Sequence, residues 1–74
     1  MKEVDSKVAK ILSLVLNRSV DLNADLKIGS PPEWDSLNQI EIVLLIEEEF
    51  SLQIPPVQIA QLVSQKEIVK YLSK

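Results

Sequence analysis

Seventy-four residues make one small domain, with no room for a second hydrophobic core. Apolar residues supply 46% of the chain and charged residues 26%, a composition that folds and excludes wholesale disorder. The net charge of −3 is unevenly spread: residues 28–65 hold six acids and no base, while the segments on either side carry a small excess of bases.

An acidic centre of this kind lacks the basic surface needed to displace counterions from phosphate, which argues against a nucleic-acid partner. Neither cysteine nor histidine occurs. The chain therefore has no disulfide framework, no thiol of its own and no imidazole to work as a base near neutral pH. Most zinc sites and many hydrolytic triads are excluded with them. The longest apolar run, Ile42 to Ile46, is far too short for a bilayer, and Met1-Lys2-Glu3-Val4-Asp5 lacks the apolar stretch of a secretory signal. The expectation is a cytoplasmic protein, monomeric and without membrane insertion.

In chain order, Val4, Val8, Ile11, Leu12 and Val15 recur with helical spacing and predict an amphipathic helix over residues 3–17. Residues 18–35 break that periodicity, collect turn formers, and include the only glycine and the pair Pro31-Pro32. So long a loop in so small a domain is often functional. Leu22, Leu26 and Ile28 are its expected anchors to the core. Asp35 or Ser36 then caps a second helix running to about Phe50, with neither glycine nor proline inside it.

Pro55-Pro56 ends the following connection and opens a short third helix, since proline is tolerated in a first turn; it is expected to carry Val57, Ile59, Ala60, Leu62 and Val63. Ser64-Gln65-Lys66-Glu67 has the spacing of a capping box ahead of Ile68, Val69 and Leu72 and predicts a fourth helix. No segment alternates with period two. The expected fold is all-α, a small four-helix bundle (three main helices plus one short helix) with a long loop between helices one and two, in a single domain over residues 1–74.

Helix two has two apolar stripes. At about 100° per residue, Gln39, Ile42, Val43, Ile46 and Phe50 fall on one side, and Leu37, Ile40 and Leu44 roughly opposite, interleaved with Glu41, Glu47 and Glu48. One core can take one stripe, and the stripe ending in the only phenylalanine is assigned to it. The other becomes an apolar strip edged with carboxylates. Scattered surface leucines and solvated charges are the ordinary explanation of such a pattern. The sharper one is a docking surface for partners with a basic, apolar patch, because complementary charge speeds encounter while apolar contact supplies area.

Other candidate chemistry reduces to structure. Asp21-Leu22-Asn23-Ala24-Asp25 opens like a calcium loop, but Leu26 and Pro32 stand where that motif needs glycine and glutamate. Glu47, Glu48 and Glu49 are consecutive on a helix and point about 100° apart, so they cannot converge on one ion. Trp34 has the position of a hydrophobic staple or a lid on the start of helix two. Ser36 is one of eight serines and has no base to activate it within the chain. If it reacts, another protein must supply both base and electrophile. The domain is then a substrate for modification rather than a catalyst.

The stretch from Asp35-Ser36-Leu37 through Glu48-Glu49-Phe50, followed by Ile54-Pro55, resembles the phosphopantetheine attachment region of acyl carrier proteins. Chain length, acidity, absent cysteine and the four-helix pattern fit the same family, so the resemblance spans nearly the whole chain. It implies covalent attachment of 4'-phosphopantetheine, taken from coenzyme A, to Ser36 by a separate magnesium-dependent phosphopantetheinyl transferase, with Asp35 in a supporting role. It also implies a non-catalytic carrier of acyl thioesters in lipid or polyketide biosynthesis, serving acyl-loading and acyl-processing enzymes with basic docking patches.

Leu37, Ile40, Glu41, Leu44, Glu47 and Glu48 are then the candidate docking residues. Val43, Ile46, Ile54, Ile59 and Leu62 are candidates for an acyl pocket between helices two and three. Trp34, Asn38 and the loop Gly29-Ser30-Pro31-Pro32-Glu33 differ from the fatty-acid type and point to a specialised rather than a bulk fatty-acid-synthesis carrier. The alternatives are a carrier of an amino acid or other specialised acid, and an unmodified helical protein-interaction module.

Overall fold

The computed structural model describes residues 2–73, which form four helices: α1 (Lys2–Leu16), α2 (Ser36–Phe50), α3 (Pro56–Ile59) and α4 (Gln65–Leu72). Glu3 and Asp5 lie in the first turn of α1, where carboxylates suit the helix dipole. The helix stops at Asn17, which takes the left-handed conformation (φ 55°) that closes many helix ends. α1 packs against α2 and α4. Val8, Leu12, Ile42, Ile46, Ile68 and Trp34 are essentially inaccessible and form the centre of the core, with Ile11, Leu16, Val43, Ile54 and Leu62 around them.

The loop between α1 and α2 has no helix of its own, yet much of its backbone is paired. Lys27 and Ser30 exchange N–H···O bonds of 3.0 and 2.8 Å around Gly29, whose φ of 86° closes the turn. Ile28 N–H donates to Val63 O (2.8 Å) and Gln65 N–H to Leu26 O (2.7 Å), an antiparallel bridge that fastens the loop to the start of α4.

This pairing corrects the expected anchors. Leu26 packs on the core, but Leu22 and Ile28 are exposed. Ile28 is held through its N–H rather than its side chain, and Leu22 sits in the turn closed by Ala24 N–H to Asp21 O (3.2 Å). The apolar anchors are Val20, Leu26 and, above all, Trp34.

α3 is shorter than its apolar pattern suggests. It ends at Ile59, and Ala60, Leu62 and Val63 follow it in turns closed by Gln61 N–H to Gln58 O (2.9 Å) and Leu62 N–H to Ile59 O (3.1 Å). Leu62 is buried there and Val63 is exposed. α4 starts as its capping spacing predicts: Ser64 Oγ accepts the Glu67 N–H at 3.2 Å. Among the described residues no helix is long and apolar enough to cross a membrane.

Candidate functional site

The start of α2 is held by hydrogen bonds on either side of Ser36, from Glu33, Trp34 and Asp35 before it and from Asn38 and Gln39 after it. Asp35 is the N-cap, with extended backbone angles, and its Oδ1 accepts the Asn38 N–H at 2.9 Å. Ser36 is the first helical residue and is exposed. Asn38 Nδ2 donates to Glu33 O (2.6 Å), which also receives the Asp35 N–H (3.0 Å), so the residues entering the helix are held from both sides of Ser36.

Behind this entrance lies Trp34, fully buried; its backbone O accepts the Gly29 N–H and its indole Nε1–H donates to Gln39 Oε1 at 2.7 Å. Gln39 Nε2 donates in turn to Leu62 O (2.8 Å) and, at longer range, to Ile59 O (3.4 Å). Trp34 and Gln39 occupy the positions that a hydrophobic staple joins. Here the staple is a hydrogen bond. The position of Trp34 was readable from sequence, whereas the role of Gln39 was not. Its signal was a polar residue inside the core stripe, since a buried amide must find partners.

The stripes of α2 divide as the periodicity predicts, with one refinement. Gln39, Ile42, Val43 and Ile46 are buried, but Phe50 is only half-buried, with the Lys7 ammonium 5.5 Å from its ring centroid. Lys7 also lies 3.5 Å from the Glu49 carboxylate. On the opposite side Leu37, Ile40 and Leu44 are 77%, 57% and 54% exposed. Val57 of α3 is exposed as well, an apolar residue that sequence reading placed only in its helix.

Glu41 and Glu48 are exposed. Glu47 is half-buried and accepts the Ile54 N–H at 2.7 Å, so this carboxylate holds the chain returning after α2. Val43, Ile46, Ile54 and Leu62 are buried parts of the continuous core, and Ile59 packs on it. Among the described residues no group of three or more carboxylates is placed to hold a metal ion.

The local geometry suits an anionic phosphodiester on Ser36: an accessible hydroxyl, on a fixed backbone, at the positive end of a helix dipole. Residues 33–72 match the family described as the phosphopantetheine attachment site. An acyl carrier protein of Campylobacter hominis is 32% identical over 71 residues, spanning 95% of this chain and 90% of that protein. A mitochondrial acyl carrier protein of Neurospora crassa is 33% identical over 72 residues, 95% of this chain; the chain spans 54% of that relative's length. The chain belongs to the phosphopantetheine-attachment family, among the acyl carrier proteins.

Proposed function

We propose that Ser36 carries the 4'-phosphopantetheine arm and that acyl groups travel on the arm's terminal thiol as thioesters. The observation that supports this most directly is the exposed Ser36 hydroxyl at the first position of α2, between the capping Asp35 and the anchored Asn38. In the attachment step Ser36 Oγ bonds to the pantetheine-side phosphorus of coenzyme A, the pyrophosphate P–O bond breaks, and adenosine 3',5'-bisphosphate leaves. A base of the transferase takes the hydroxyl proton, since this chain has no histidine to do so. Asp35 caps the helix and is itself exposed, so the same carboxylate is open to the transferase and its magnesium ion.

The arm gives its cargo a high effective concentration at each docked enzyme, and the protein surface then selects the enzyme. Leu37, Ile40 and Leu44, edged by Glu41 and Glu48, form the strip proposed to dock partners with basic, apolar patches. Glu47 contributes its charge to this edge while bound to Ile54. Trp34 and Asn38 favour a specialised member over one serving bulk fatty acid synthesis. A cytoplasmic setting belongs to the same proposal and is read by fractionation of the host; the mitochondrial name of one relative makes the organelle the contrary outcome.

Intact-mass measurement after incubation with coenzyme A, magnesium and a broad-specificity transferase tests the attachment. The protein gains one phosphopantetheine and Ser36→Ala gains none. An unmodified chain under these conditions leaves the interaction-module reading in its place.

A further inference from the structure

One turn into α2 from Ser36, a buried polar clamp closes the gap between α2 and the segment leaving α3. Gln39 is 7% exposed and both ends of its amide are engaged: Oε1 by the Trp34 indole, Nε2 by the carbonyl oxygens of Leu62 and Ile59. An acyl chain turning inward from Ser36 between α2 and α3 has to pass this amide and separate it from the carbonyls beyond. That would leave the buried Gln39 donor and the Leu62 carbonyl without partners, the costly case for hydrogen bonds, while Ile59 O keeps the Leu62 N–H. It would also lay hydrocarbon against an amide. Deeper in, Ile42, Val43, Ile46, Ile54 and Leu62 are all buried and occupy the space themselves.

Resting on the carrier reading above, we infer that Gln39, held by Trp34, is a specificity-determining residue that keeps cargo outside the bundle. The substrate class is then short or polar acids, borne on the arm in solvent. The five residues Val43, Ile46, Ile54, Ile59 and Leu62 serve as core rather than as a store for long hydrocarbon chains.

The test loads the whole protein with four-, eight- and ten-carbon acyl arms from the corresponding acyl-coenzyme A thioesters and follows thioester cleavage by hydroxylamine. The three rates are expected to agree with one another and with the free acyl-pantetheine. A slowing of about tenfold with chain length, the mark of protection by burial, overturns the inference. Gln39→Met removes the amide at similar length and is expected to introduce such a slowing; an unchanged profile overturns the role given to Gln39. Should Gln39→Met fail to fold, Trp34→Phe, which releases one end of the clamp, is read in the same way. If no arm attaches to the protein, the carrier reading itself fails; if arms attach and long chains are protected, only the present inference does.

Discussion

The indole N–H of Trp34 donates to Oε1 of Gln39 at 2.7 Å across the first turn of α2, inside the core. One hydrogen bond thus joins the end of the long loop to the helix that presents Ser36, and Gln39 extends the link to Leu62 beyond α3. Trp34→Phe keeps most of the buried ring and strands the Gln39 oxygen. The expected cost is about 1–3 kcal/mol, the penalty for a buried polar atom left unmade. In a domain of this size each kcal/mol lowers the melting midpoint by roughly 4–8 °C. Urea titration of Trp34→Phe, Gln39→Leu and the double variant is expected to show strong non-additivity, because either single change already breaks the shared bond. Additive losses would contradict the coupling.

The two faces of α2 separate stability from docking. Ile46 is fully buried, and Ile46→Ala is expected to cost about 2–5 kcal/mol. Leu44 is 54% exposed, and Leu44→Ala is expected to stay within about 0.5 kcal/mol of the parent in chemical denaturation. The same Leu44→Ala protein should be a poorer transferase substrate, seen as a raised KM. A Leu44→Ala protein that unfolds would reverse the assignment of the faces.

Adjacent glutamates should behave differently. Glu47 accepts the Ile54 N–H at 2.7 Å, and Glu47→Ala is expected to lose about 1–2 kcal/mol, as for a charge-assisted hydrogen bond at a half-buried site. Glu48 is exposed, and Glu48→Ala should leave stability within about 0.5 kcal/mol while weakening partner docking. Equal destabilisation by both would remove the structural role given to Glu47.

Of the six acids between residues 28 and 65, Glu49 is paired with Lys7 and Glu33 with Arg18. Asp35, Glu41, Glu47 and Glu48 have no such partner among the described residues and repel one another, most strongly in dilute buffer. Raising sodium chloride from a few millimolar towards about 0.1 M, where the screening length falls to about 10 Å, should raise the melting midpoint. A midpoint indifferent to salt would show that the repulsion does not limit stability.

Much of this organisation was legible in the sequence because it is local. The N-cap Asp35, the 3.6-residue period and the absence of breakers define α2, and Ser64 with Glu67 defines the start of α4. The misreadings concern contacts distant in sequence. Ala60, Leu62 and Val63 continue an apolar pattern, but α3 stops at Ile59, and Gln39, twenty and twenty-three residues away, takes the carbonyls of Ile59 and Leu62. Leu22 and Ile28 are apolar yet exposed: Ile28 is held by backbone pairing with the Val63–Gln65 segment, and Leu22 sits in the turn closed by Ala24 N–H to Asp21 O. At the site itself Asp35 and Ser36 stood out by motif. The partners of Trp34, Asn38 and Glu47 required the folded chain.

The most direct measurement is localisation of the added group. With no lysine or arginine between residues 28 and 65, trypsin releases residues 28–66 as one peptide, containing Ser30, Ser36, Ser51 and Ser64. After treatment with coenzyme A and transferase, fragment ions of that peptide should place the whole phosphopantetheine mass on Ser36. Placement on Ser30, Ser51 or Ser64, or a peptide of unchanged mass, would contradict the account.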